Sequence, residues 1–85
     1  MPSSSGRPPA AATLDIRPLF NPIDCTSLGV VRLHLKKLDP GDVLEVLANR
    51  FQQQEVRAWA RKFGHPIVGE LDESGLVTIY LKRGT

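Results

Sequence analysis

The apolar residues of this chain recur in two rhythms, every second position and every third or fourth, and each change of rhythm marks an element boundary. Thr13 to Arg17 alternates, with Leu14 and Ile16 on one face and Thr13, Asp15 and Arg17 on the other. That is the pattern of a short strand covered on one side. Pro18 and Pro22 stop the strand and stiffen the connection. From Leu28 the spacing becomes helical, with Leu28, Val31, Leu35 and Leu38 on one face and Arg32, Lys36 and Lys37 off the centre of the stripe. The two lysines also suit the negative end of the helix dipole. Two starts compete for this helix. Asn21 can cap it with Pro22 in the first helical position, or Asp24, Thr26 or Ser27 can cap it about one turn later.

Asp39-Pro40-Gly41-Asp42 ends the helix in a turn with Pro and Gly in the central positions they favour. Val43 to Ala48 is apolar except for Glu45, which predicts a strand more buried than the first. Asn49 is a plausible cap for a second amphipathic helix, Gln52 to Phe63, whose stripe is Val56, Trp59, Ala60 and Phe63 and whose stop is Gly64. Ile67 to Leu71 and Leu76 to Lys82 are strands around the turn Asp72-Glu73-Ser74-Gly75. The last strand turns Val77, Ile79 and Leu81 one way and Thr78, Tyr80 and Lys82 the other. With right-handed crossovers, this β-α-β-α-β-β order predicts an α+β fold: a two-layer α/β sandwich, a four-stranded mixed sheet with both helices on one face. The opposite face is left largely open to water or to a partner.

Composition narrows the picture. The first dozen residues, Met1 to Ala12, are nearly all Pro, Ser, Ala and Gly, so residues 1–12 are expected as a disordered tail and 13–84 as the domain. A domain of that size buries only about 60% of its unfolded-chain surface, so its core must be compact. The formal net charge of +2 is too weak to imply nucleic acid. A single cysteine rules out an internal disulfide and is consistent with a reducing compartment, making the cytoplasm the expected address. No apolar run approaches the roughly twenty residues of a membrane span, and the tail has no hydrophobic signal core. Cys25, His34 and His65 lack the clustered spacing of a zinc site, so neither metal nor cofactor is expected. The histidines read as structural residues and Trp59 as core.

Taken in order, Leu14-Asp15-Ile16-Arg17, Pro40-Gly41-Asp42, Glu55-Val56-Arg57-Ala58-Trp59, Gly64-His65 and Leu81-Lys82-Arg83-Gly84 resemble the TusA/SirA family of small sulfur-carrier proteins, over Leu14 to Gly84. In that family a Cys-Pro-x-Pro motif opens the first helix, and its cysteine accepts a persulfide from a desulfurase and hands it to the next protein. The motif is not intact here. Anchored on the strand, Asn21-Pro22 stands where Cys-Pro belongs; anchored on the helix, Asp24 takes the cysteine's place and Cys25 the proline's.

Cys25 is the candidate nucleophile, since a helix N-terminus offers N–H donors and a positive dipole end that favour a thiolate. Asp24 beside it acts the other way, raising a thiol's pKa. Asn21, Pro22, Asp24, Thr26 and Ser27 would form the docking loop, and Arg50, Arg57 and Arg61 a basic patch for an acidic protein surface. The resemblance therefore implies a monomeric sulfur carrier or adaptor acting through transient protein partners, a sulfurtransferase if Cys25 carries the persulfide. The alternatives are a relative that keeps the docking surface without sulfur chemistry and, third, weak RNA binding. The last rests on the similar two-layer arrangement of the C-terminal domain of translation initiation factor 3, an analogy of fold alone.

Overall fold

The computed structural model describes residues 10–19 and 26–84, with the side chains of Thr26 and Ser27 outside the description. Strand β1 (Ala12–Asp15) leads through a single 3-10 turn (Arg17–Leu19) towards helix α1 (Thr26–Lys36). Strand β2 (Val43–Ala48), helix α2 (Arg50–Phe63) and the hairpin of β3 (Ile67–Glu73) and β4 (Leu76–Lys82) follow. The sheet order is β1-β2-β4-β3, with β1 parallel to β2 and the other pairs antiparallel. This is the expected two-layer sandwich.

Alternation in the strands decides where the core sits. Leu44, Val46 and Ala48 of β2 and Val77, Ile79 and Leu81 of β4 share the helix-facing side, and all are buried. Val31 and Leu35 of α1 and Val56 and Ala60 of α2 close over them, and Ile16 completes the cluster. None of the described helices is long and apolar enough to cross a membrane.

Several boundaries differ from the sequence reading: β1 ends at Asp15, with Arg17 in the 3-10 turn, and α1 ends at Lys36, leaving Leu38 beyond it. β1 begins at Ala12, inside the expected tail, because the Ala11 N–H already bonds Val43 O. α2 begins at Arg50, so Gln52 occupies its third position rather than its first. The β3–β4 loop is only Ser74-Gly75: both residues have positive φ, 56° and 93°, the handedness of a two-residue hairpin turn, and Asp72 and Glu73 belong to β3. The sheet face away from the helices is also less open than expected. Thr78 and Tyr80 are 4% and 1% exposed there, because β4 is an interior strand with a neighbour on each side. The Tyr80 hydroxyl donates to Glu45 Oε2, whose other carboxylate oxygen accepts from Thr13.

The start of α2 carries the one buried side-chain amide of the helix layer described here. Asn49 Oδ1 accepts from the Gln52 N–H while Gln52 Oε1 accepts from the Asn49 N–H, a reciprocal capping box. The Gln52 side chain is fully buried, and its Nε2 donates to the carbonyl of Ile16 at the end of β1. At the other end Gly64 takes the left-handed conformation, φ 74°, that glycine adopts without strain.

Replacing Gln52 by leucine keeps the bulk but removes one of the two donors to the Ile16 carbonyl, which keeps only the Leu19 N–H, and leaves the Asn49 N–H without its partner. The expected loss is about 1–3 kcal/mol in chemical denaturation, against about 1 kcal/mol for Asn49→Ala, which removes only the cap. A Gln52→Leu chain as stable as the parent would show that the amide does not hold these elements together.

Candidate functional site

Of the residues expected to carry function, Asn21, Pro22, Asp24 and Cys25 lie outside the described residues, as do the side chains of Thr26 and Ser27. The choice among the competing caps of α1 falls there too. What is described is the frame on either side. The Asp15 carboxylate closes β1 by accepting from the Arg17 backbone N–H and pairing with its guanidinium at 2.7 Å. That hydrogen bond with Arg17 lowers the Asp15 pKa. α1 is helical from Thr26.

The three arginines of the expected basic patch do not act as one group. Arg50 reaches Asp72 of β3 at 3.1 Å, and Arg57 grips Glu70 of β3 at 2.7 Å with a second nitrogen also bonding the carboxylate. Gln53 donates to the same Glu70. Bonding to Arg57 is the main reason the Glu70 pKa lies below the ordinary carboxylate value. Arg50 and Arg57 therefore fasten α2 to the edge strand β3 through carboxylates on the helix-facing side. Arg61, one turn beyond Arg57, has no such partner among the described residues and is exposed.

A different group of cations comes together where the sequence reading looked for none. A cavity of about 210 Å³ opens between α1 and the end of α2. It is lined by Arg32 and Lys36 of α1, Trp59 and Phe63 of α2, and His65 and Arg83, with Leu35 as its apolar contact to the core. Arg32 and Lys36 are one helical turn apart. Arg83 arrives from the end of β4, its backbone held by Asp42 O and the Gly41 N–H of the Pro-Gly turn. Its Nη1 donates to the carbonyl of Lys36, the last residue of α1 and an acceptor without a helical partner, and to that of Leu38 just beyond it.

Trp59 is the hinge of this surface. It was expected in the core, but it is only partly buried, and Phe63 is 56% exposed. α2 is apolar around more of its circumference than the sheet can cover, so its last turn projects aromatic rings beyond the core. The Trp59 ring stacks on the His65 imidazole with centroids 5.2 Å apart and meets Phe63 at a tilt, 5.6 Å. Leu28, Ala58 and Lys62 continue the Trp59–Phe63 wall into a shallow apolar groove on its other side.

His65 is fixed by a bond of known direction. The Gly84 N–H donates to its Nδ1 at 3.2 Å, so that nitrogen is unprotonated and Nε2 bears the ring proton. Burial, with Arg83 nearby, lowers the His65 pKa. Gly84 is required at its position, since a Cβ there would lie 2.1 Å from the Gly64 carbonyl oxygen. The Arg83-Gly84 ending thus has a structural reason: one residue caps α1, and the next packs against the α2 stop. Among the described residues no three His, Cys, Asp or Glu side chains gather to hold a metal.

Neither protein-family models nor curated proteins give a match to this chain.

Two pH effects follow. Glu70 has a depressed folded pKa, so its ion pair contributes stability that is complete above the unfolded value of about 4.3 and is lost as pH falls through the lower folded value. Thermal midpoints measured from pH 6 to pH 3 should fall less steeply for Arg57→Gln than for the parent; identical slopes would exclude the pair as a source of acid sensitivity. His65 is also depressed, so its neutral form is the stabilising one, complete above about 6.5 and lost on acidification through a lower folded pKa. Because His65 stacks on the only tryptophan, fluorescence should titrate with a midpoint below about 6.5. His65→Gln should remove that step, and its persistence would assign the titration to another group.

Proposed function

We propose that this chain is a TusA/SirA-like protein of sulfur transfer, a small monomeric carrier or adaptor that works in the cytoplasm through the start of its first helix. The observation that supports the reading is that α1 is helical from Thr26, directly after the chain's one cysteine, within the β-α-β-α-β-β order that the family resemblance implies. The first N–H groups of a helix have no partners within it, and their summed dipole favours a neighbouring anion. A thiolate at Cys25 is such an anion.

The chemistry would be exchange without net redox change. The Cys25 thiolate attacks the outer sulfur of a donor protein's persulfide, the donor S–S bond breaks as the new one forms, and the donor cysteine leaves as thiolate. Handing the sulfur on repeats the step, with Cys25 as the leaving thiolate. Residues 21–27 would meet the donor and the acceptor in turn, and Arg61 would add to the rate of encounter with acidic surfaces.

A second reading keeps the docking and drops the sulfur. It is favoured by Asp24, whose charge beside Cys25 opposes thiolate formation, and by Phe51, which is 72% exposed at the start of α2. In this reading the same helix start is an adaptor surface without a reactive group.

The two readings part on one measurement. Incubation with a cysteine desulfurase and cysteine should add the mass of one sulfur atom to the intact protein, reversibly by thiol reductant, and Cys25→Ser should abolish the addition. An unmodified parent chain, with Cys25 alkylating at the pH of an ordinary thiol, would leave the adaptor reading in its place.

A further inference from the structure

We propose that the cavity between α1 and the end of α2 is a binding site for a small aromatic carboxylate, with the ring against Trp59 and Phe63 and the carboxylate among Arg32, Lys36 and Arg83. Nothing in this proposal uses Cys25 or the start of α1.

Charge is the first reason. Three cationic side chains line the cavity, and among the described residues no Asp or Glu does. Arg32 and Lys36 stand at the i and i+4 positions of one helix, where like charges destabilise each other. Both side chains are exposed, and neither makes a hydrogen bond among the described residues, in contrast to those of Arg17, Arg50 and Arg57, each paired with a carboxylate. An arriving anion relieves the repulsion.

Preorganisation is the second. Arg83 binds the end of α1 through Nη1 alone, so its guanidinium is held in place while Nε and Nη2 make no hydrogen bond among the described residues. A carboxylate matches the planar donor fork of an arginine fixed in this way.

Size and the ring wall set the class of ligand. A cavity of about 210 Å³ exceeds the roughly 150 Å³ void that takes up benzene and falls short of the ~300 Å³ at which drug-sized sites begin, so a nucleotide is too large. Trp59, stacked on His65, and Phe63 line the cavity together, an aromatic wall against which a second ring makes the favoured offset or tilted contact. The negative end of the α1 dipole lies close to the Lys36 and Leu38 carbonyls, which penalises a phosphate dianion more than a monoanion.

The test uses the full chain and its single tryptophan. Titration with phenylacetate should change Trp59 fluorescence saturably, and calorimetry should give the same affinity. Acetate, which has the charge without the ring, and benzyl alcohol, which has the ring without the charge, should each bind about tenfold or more weakly. The double variant Arg32→Gln/Lys36→Gln should weaken phenylacetate about tenfold with unchanged circular dichroism, and Phe63→Ala, followed by calorimetry, should weaken it as well. Absence of saturable binding, equal binding of benzyl alcohol or of acetate, or a double variant that binds like the parent would each overturn the proposal.

Discussion

The fold is held at its centre by one uncharged amide. Gln52 is buried completely, so each of its polar atoms must be satisfied or the desolvation cost stands uncompensated. Its oxygen completes the cap of α2 and its nitrogen takes the carbonyl at which β1 ends. Ile16, whose N–H bonds Leu47 O, is thereby gripped from the sheet and from the helix layer at once. The direction in which the chain leaves β1 towards residues 20–25 is set by those two bonds rather than by packing alone. A shift of α2 along the sheet would uncover both partners, so one side chain couples the helix layer to the strand that feeds the candidate nucleophile.

Much of this architecture was legible because it depends on period. Leu28, Val31 and Leu35 announce α1, and Val77, Ile79 and Leu81 announce the inner face of β4, with no need to know what they pack against. The positions that were misjudged depend on tertiary partners. A glutamine in the first turn of a helix reads as solvated, and only the approach of Ile16 makes it a core residue. Trp59 and Phe63 satisfy the helical stripe as well as Val56 and Ala60 do, yet the four-stranded sheet is too small to cover all four. Tyr80 alternates outward as predicted and is nonetheless buried, because an interior strand shields its own outer side chains.

Charge was the least legible property of all, since a net +2 records a sum and not an arrangement. Arg50, Arg57 and Arg61 look like a patch when written along one helix. In space, two of them neutralise Asp72 and Glu70 across the α2–β3 seam, residues no local spacing connects to them. Among the described residues, the cations that line the cavity without meeting a carboxylate are Arg32 and Lys36 of α1 and Arg83, which is 47 positions after Lys36 in the chain yet bonded to its carbonyl. A sequence window cannot register that meeting. It is created by β4 running back beside the turn that follows α1.

The two ends of α1 are therefore opposite electrostatic problems. At its start the backbone itself supplies positive potential, which favours an anion such as a thiolate. At its end, about 16 Å away for eleven residues, the free carbonyls supply negative potential. Any anion bound there must be held by side chains that first outweigh the backbone. Arg83 meets the carbonyls directly, and Arg32 and Lys36 are then in excess. Their crowding has no role in the packed core: both are exposed, and the interior beneath them is closed by Val31 and Leu35. A pair of like charges kept one turn apart, over a guanidinium already fixed in place, is stabilised by whatever negative charge enters between them.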